Sequence, residues 1–96
     1  MKHQHIGFVT LDTLSIDSYL LITFDEADIA HIEHDLEPDS DEARQHAVEA
    51  LISEHCRSEA LFREGGPGQS FCRNYTLIGQ RRDNQFVIAM HVRWDV

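Results

Sequence analysis

The clearest pattern in the chain is a period of two. Ile16, Ser18, Leu20, Ile22 and Phe24 fall on one face of an extended segment, and the run Ile6-Gly7-Phe8-Val9-Thr10-Leu11 before it also reads as a strand. Asp12-Thr13-Leu14-Ser15 supplies a turn between them, so the N-terminal part predicts a hairpin. Near the other end, Phe86, Ile88, Met90, Val92 and Trp94 alternate in the same way. Val87 and Ala89 make the second face of that segment apolar too, as expected of a central strand. Phe71 to Gln80 is a further strand, closed by the turn Arg81-Arg82-Asp83-Asn84. A short strand Ala60-Leu61-Phe62-Arg63-Glu64 leads into the loop Gly65-Gly66-Pro67-Gly68.

One segment has a helical period. Ala47, Val48, Leu51, Ile52 and His55 form a stripe, with Glu42, Gln45, His46, Glu49 and Ser53 opposite. Pro38 stops the preceding element, and Asp39 three residues before Glu42 fits a capping box. Asp41 and Glu42 suit the positive end of the helix dipole. The expectation is a helix over about Ser40 to Cys56, anchored by Leu51 against Ile88 and Trp94 on the sheet. The stretch Asp25 to Glu37 satisfies both periods. Ile29, Ile32 and Leu36 share a helical stripe, while Ala30, Ile32, His34 and Leu36 share a strand face. With Pro38 and a helix start immediately after, a strand from Ile29 to Leu36 is the favoured reading. The predicted fold is therefore α+β, one helix packed on an antiparallel sheet, in the order β-β-β-α-β-β-β.

Ninety-six residues allow a single domain, residues 1–96, with one core. No run of about 18 apolar residues exists to span a membrane. The polar start Met1-Lys2-His3-Gln4-His5 lacks the apolar stretch of a secretory signal. The chain reads as a soluble, cytoplasmic protein. Cys56 and Cys72 are too few for a disulfide framework and read as reduced thiols acting as small hydrophobes.

Charge changes this picture more than composition does. The formal net charge is −9, and no Lys or Arg occurs between His3 and Ala43. That stretch holds Asp12, Asp17, Asp25, Glu26, Asp28, Glu33, Asp35, Glu37, Asp39, Asp41 and Glu42. From Arg57 onward, Arg57, Arg63, Arg73, Arg81, Arg82 and Arg93 outnumber Glu59, Glu64, Asp83 and Asp95. An acidic surface repels phosphates and attracts basic proteins. The expected partner-binding residues are Asp25, Glu26, Asp28, Glu33, Asp35, Glu37, Asp39, Asp41 and Glu42. They fall on ordered elements, so their spacing is set as a phosphate mimic requires; the alternative is a surface that only solubilises.

Other chemistry finds less support. His31 and His34, flanked by Glu33 and Asp35, could chelate only if helical, and a zinc site needs three or four converging ligands. The loop Gly65 to Gly68 lacks the Lys-Ser/Thr of a phosphate-binding loop. Cys56 follows His55, but adjacent helical residues point about 100° apart, and no nucleophile elbow is present. Arg73, Tyr75, Arg81 and Arg82 offer a small basic-aromatic strip for nucleic acid, set against the wrong overall charge. We expect no catalysis, no metal, no cofactor, and no direct binding to nucleic acid or membrane.

The stretch Asp41-Glu42-Ala43 through the helix, then Leu61-Phe62-Arg63-Glu64-Gly65, a Gly-rich loop, Phe71, Tyr75 and Gly79, resembles the C-terminal part of a type I-E inhibitor. That protein is one of the small, acidic, phage-encoded anti-CRISPR proteins. The resemblance covers a little over half the chain and departs in loop length. It implies a non-enzymatic inhibitor that binds a CRISPR surveillance complex or its nuclease. Two other readings stay open: a small accessory homodimer that associates through an exposed sheet face or edge, and a His/acid metal-binding protein.

Overall fold

The computed structural model describes residues 1–59, 61 and 70–94, and the side chains from residue 74 onward within the last segment. It is an α+β fold. Strands β1 (Lys2–Thr10), β2 (Ser15–Thr23), β3 (Ser70–Arg82) and β4 (Gln85–Trp94) form one antiparallel sheet in the order β1-β2-β4-β3. Helices α1 (Glu26–Ala30) and α2 (Asp41–Ser58) lie between β2 and β3 in the chain, and a wider helical turn, His31–Asp35, continues α1.

The hairpin expected at the start is present and longer, because pairing begins at Lys2 rather than Ile6. Asp12 builds its turn by accepting the Leu14 N–H at 2.7 Å, which holds its carboxyl below the ordinary carboxylate range. β4 is central, paired on both sides, as its two apolar faces require. β3 runs two residues past the expected end, so the turn shrinks to Asp83-Asn84. β3 has 13 residues against 10 in β4, and three register irregularities absorb the difference.

The expected order β-β-β-α-β-β-β does not hold, because the segment from Ile29 to Leu36 is helical. Asp25 decides it. Its Oδ1 accepts the Asp28 N–H at 2.9 Å, and Asp28 Oδ2 accepts the Asp25 N–H at 3.0 Å, a reciprocal capping box. The chain then leaves the helix through an i to i+5 bond, Leu36 N–H to His31 O, and through Glu37 at φ 44°. The other expected extra strand, Ala60 to Glu64, and the loop Gly65 to Gly68 lie outside the described residues apart from Leu61, which is not in a strand.

α2 starts one residue later than expected. Ser40, not Asp39, is its N-cap, accepting the Ala43 N–H at 3.0 Å. The buried stripe is Val48, Ile52 and Cys56, packed on Leu20, Ile22 and Phe24 of β2 and Phe86, Ile88 and Met90 of β4. Ile52 and Ile88 are fully buried; Leu51, expected as the anchor, is only half-buried, and Trp94 is 45% exposed. The Tyr75 hydroxyl donates to the Glu49 carbonyl at 2.9 Å and ties β3 to α2. Among the described residues, no helix is long and apolar enough to cross a membrane.

Candidate partner-docking surface

The nine predicted acidic residues do not form one equivalent array. Asp25 and Asp28 are committed to local structure. Beyond capping α1, they hold the chain's terminal ammonium, at 2.9 Å to Asp25 and 3.1 Å to Asp28. The ammonium bond, then the Asp28 N–H, lower the Asp25 pKa to about 2. The same two carboxylates raise the pKa of the amine above its ordinary value. Asp41 and Glu42 sit in the first turn of α2, where the helix dipole favours them. Glu33 forms an ion pair with Arg44. Asp35 bonds the His31 ring at 3.0 Å yet keeps 68% of its side chain exposed. Glu26, Glu37, Asp39, Asp41 and Glu42 are also exposed.

Two of these acids, Glu33 and Asp41, line a feature the sequence pattern did not predict. A groove of about 560 Å³ opens between α1, its following turn, the start of α2 and the β3–β4 turn. Phe24, Ile29, Ile32, Val48 and Phe86 give it apolar walls, and Glu33, Asp41, Arg44 and Asp83 stand around them. A smaller hollow of about 330 Å³ adjoins it and shares Phe24, Ile29, Glu33 and Asn84. The groove exists because α1 and α2 both meet the sheet at the end of β2. There Asn84 donates to the Phe24 carbonyl at 3.2 Å, and Phe24 N–H donates back to the Asn84 carbonyl at 2.8 Å. Its residues are up to 62 positions apart, from Phe24 to Phe86. The signal within the sequence was the helical stripe Ile29–Ile32, which the strand reading set aside.

Such a groove can take a side chain with an apolar stem and a cationic head. Arg44 is the one Lys or Arg in residues 25–44, against nine carboxylates, and it is already paired with Glu33. The α1–α2 side of the groove is therefore acidic, while Arg81 and Arg82 stand exposed beside its lining residues Gln80 and Asp83 on the β3–β4 side.

The helical backbone does place His31 and His34 three residues apart on a helix, but the His31 ring bonds Asp35, and among the described residues no three His, Cys, Asp or Glu side chains converge as metal ligands. A separate histidine pair joins strand to helix, His3 Nδ1 to His55 Nε2 at 2.9 Å. Burial first, then the neighbouring His3, lower the His55 pKa below its ordinary value. Cys56 is fully buried, while the side chain of Cys72 lies outside the described residues. Tyr75 turns toward α2, so it does not share an open strip with Arg81 and Arg82, which are exposed at the end of β3.

Comparison of the chain with protein-family models, with curated proteins and with solved structures finds no match.

Proposed function

We propose that this chain is a non-enzymatic protein-binding module, an inhibitor that offers its α1–α2 end to a basic surface of a nucleic-acid-handling protein. The observation that carries the reading is the groove lined by Glu33, Asp41 and Asp83, whose one lining arginine, Arg44, is paired with Glu33. A partner's Arg or Lys would lay its stem against the half-buried Ile29, above the buried Phe24, Ile32 and Val48, and bring its charge to Glu33, Asp41 and Asp83. The exposed acids Asp35, Glu37 and Asp39 extend the negative field past the rim. Charge of this kind acts mainly on encounter rate and on choice of partner.

The resemblance to anti-CRISPR proteins names the first partner to test, a type I CRISPR surveillance complex. Binding would be measured by calorimetry at several salt concentrations. Affinity should fall as salt rises, because exposed charges are screened over about 8–10 Å at physiological ionic strength. Combined reversal of Asp35, Glu37 and Asp39 to Lys should abolish binding and leave the fold intact, since none of the three caps a helix and Asp35 gives up only its exposed bond to His31. Glu33 is left out of that set because its reversal would break the pair with Arg44. Reversal of Arg81 and Arg82 should matter little. An affinity indifferent to salt and to the triple change would end the proposal.

A further inference from the structure

We propose that β1 is a self-association edge, through which two copies of the chain pair antiparallel and join their four-stranded sheets into one. β1 is outermost in the strand order, so along one side none of the described residues pairs with its backbone. It is nine residues long, and apart from the half-buried Gly7 every residue in it is exposed. Ile6, Phe8 and Val9 are 44%, 65% and 51% exposed, and Leu11 just beyond is 51% exposed. A long open edge with an apolar stretch such as Ile6 to Val9 is what proteins ordinarily avoid, by charge, by proline or by repeated bulges. The opposite edge, β3, has such protection: three register irregularities and the exposed Arg81 and Arg82. β1 has one irregularity and no proline, and Lys2 is its one Lys, Arg, Asp or Glu.

Charge then selects the occupant. Two chains of net charge −9 repel one another over most of their surfaces. Residues 1–11 hold no acid, so β1 against β1 sets no carboxylate row against another; β3 holds no acid either, but its three arginines would face their own copies. A two-fold pairing about Gly7 brings together the exposed Ile6, Phe8 and Val9 of the two copies. Nothing lies within 4 Å of where a Cβ on Gly7 would stand, so a side chain can be added there without a clash inside the chain. A nine-residue strand is about 30 Å long, which places the contact at the small end of stable interfaces. The dimer should therefore exchange with monomer and depend on concentration. Screening of the mutual repulsion should strengthen it with salt, the opposite sign to docking on a basic partner.

The test is sedimentation of the untagged full chain from micromolar to millimolar concentration, at low and high salt. The mass should rise from 11.1 kDa toward twice that value, more readily at high salt, with the β1 amides exchanging more slowly as the dimer forms. Gly7→Lys combined with Val9→Lys should leave the monomer at every concentration with an unchanged melting temperature. Phe8→Lys, at the most exposed of these positions, should do the same and stands in if the double variant fails to fold. Thr76→Lys, on β3, should still dimerise. A monomer under all conditions overturns the proposal. So does a dimer that survives both β1 variants, or one that is lost on Thr76→Lys instead.

Discussion

Ile52→Ala tests the helix–sheet packing most directly. Ile52 is fully buried at the centre of the α2 stripe, between Val48 and Cys56 and against both central strands. The change removes three carbons, worth about 0.8 kcal/mol each in lost transfer energy. A cavity term adds about 1–2 kcal/mol, because α2 is held by the sheet on either side of the gap and collapses only in part. The expected cost is about 3.5–4.5 kcal/mol. For a chain of this length the total stability is about 5–14 kcal/mol, so the variant should fold but with a much lower urea midpoint and an unchanged slope. The informative control is Leu51→Ala, one position away. Leu51 is half-buried, and its truncation should cost about 1–2 kcal/mol. Urea denaturation followed by circular dichroism measures both. An Ile52→Ala cost below about 1 kcal/mol, or a Leu51→Ala cost equal to it, would refute the assignment of the buried face.

Tyr75→Phe removes the hydroxyl that donates to the Glu49 carbonyl and should destabilise by about 0.5–1.5 kcal/mol in the same assay, with faster amide exchange in β3. Glu37 sits at φ 44°, a backbone region that L side chains resist; Glu37→Gly should raise stability by up to about 1 kcal/mol, and a loss would mean that its side chain makes a contact worth more than the strain. Asp25 titrates at about 2 because the terminal ammonium stabilises its anion. Its contribution to stability is full above the ordinary carboxylate pKa and is lost as pH falls through the window between about 4 and 2. Carbon-detected NMR should find that low value, acetylation of the terminus should raise it, and a titration near 4 in the unmodified chain would contradict the clasp. His55 is held below its ordinary pKa, so the unfolded chain takes up that proton first and stability should decline as pH drops below about 6.5. His55→Gln should flatten that part of the pH–stability curve, and an unchanged slope would place the effect elsewhere.

Most individual elements were legible from residues close in sequence, because alternation and capping act over a few positions. β2 and β4 followed from the period-two runs, and α2 from its stripe and from Pro38. The acids Asp25 to Glu42 were visible as a dense run, but not which of them are committed to caps, clasp or ion pair. The segment Ile29 to Leu36 was not settled by its pattern because its apolar positions fit both periods, and the Asp25–Asp28 box that decides for helix lies upstream of them. Trp94 shows a second limit. Alternation assigns a side chain to a face of the sheet, but does not say whether anything covers that face at the end of a strand, and there Trp94 remains 45% exposed. The order β1-β2-β4-β3, the open edge of β1 and the groove were decided only by tertiary structure. Each depends on segments brought together across tens of residues, as Phe24 meets Asn84 and Phe86 and as His3 meets His55. Local propensity carries no information about such meetings; burying the apolar faces of two helices and a sheet at once selects them.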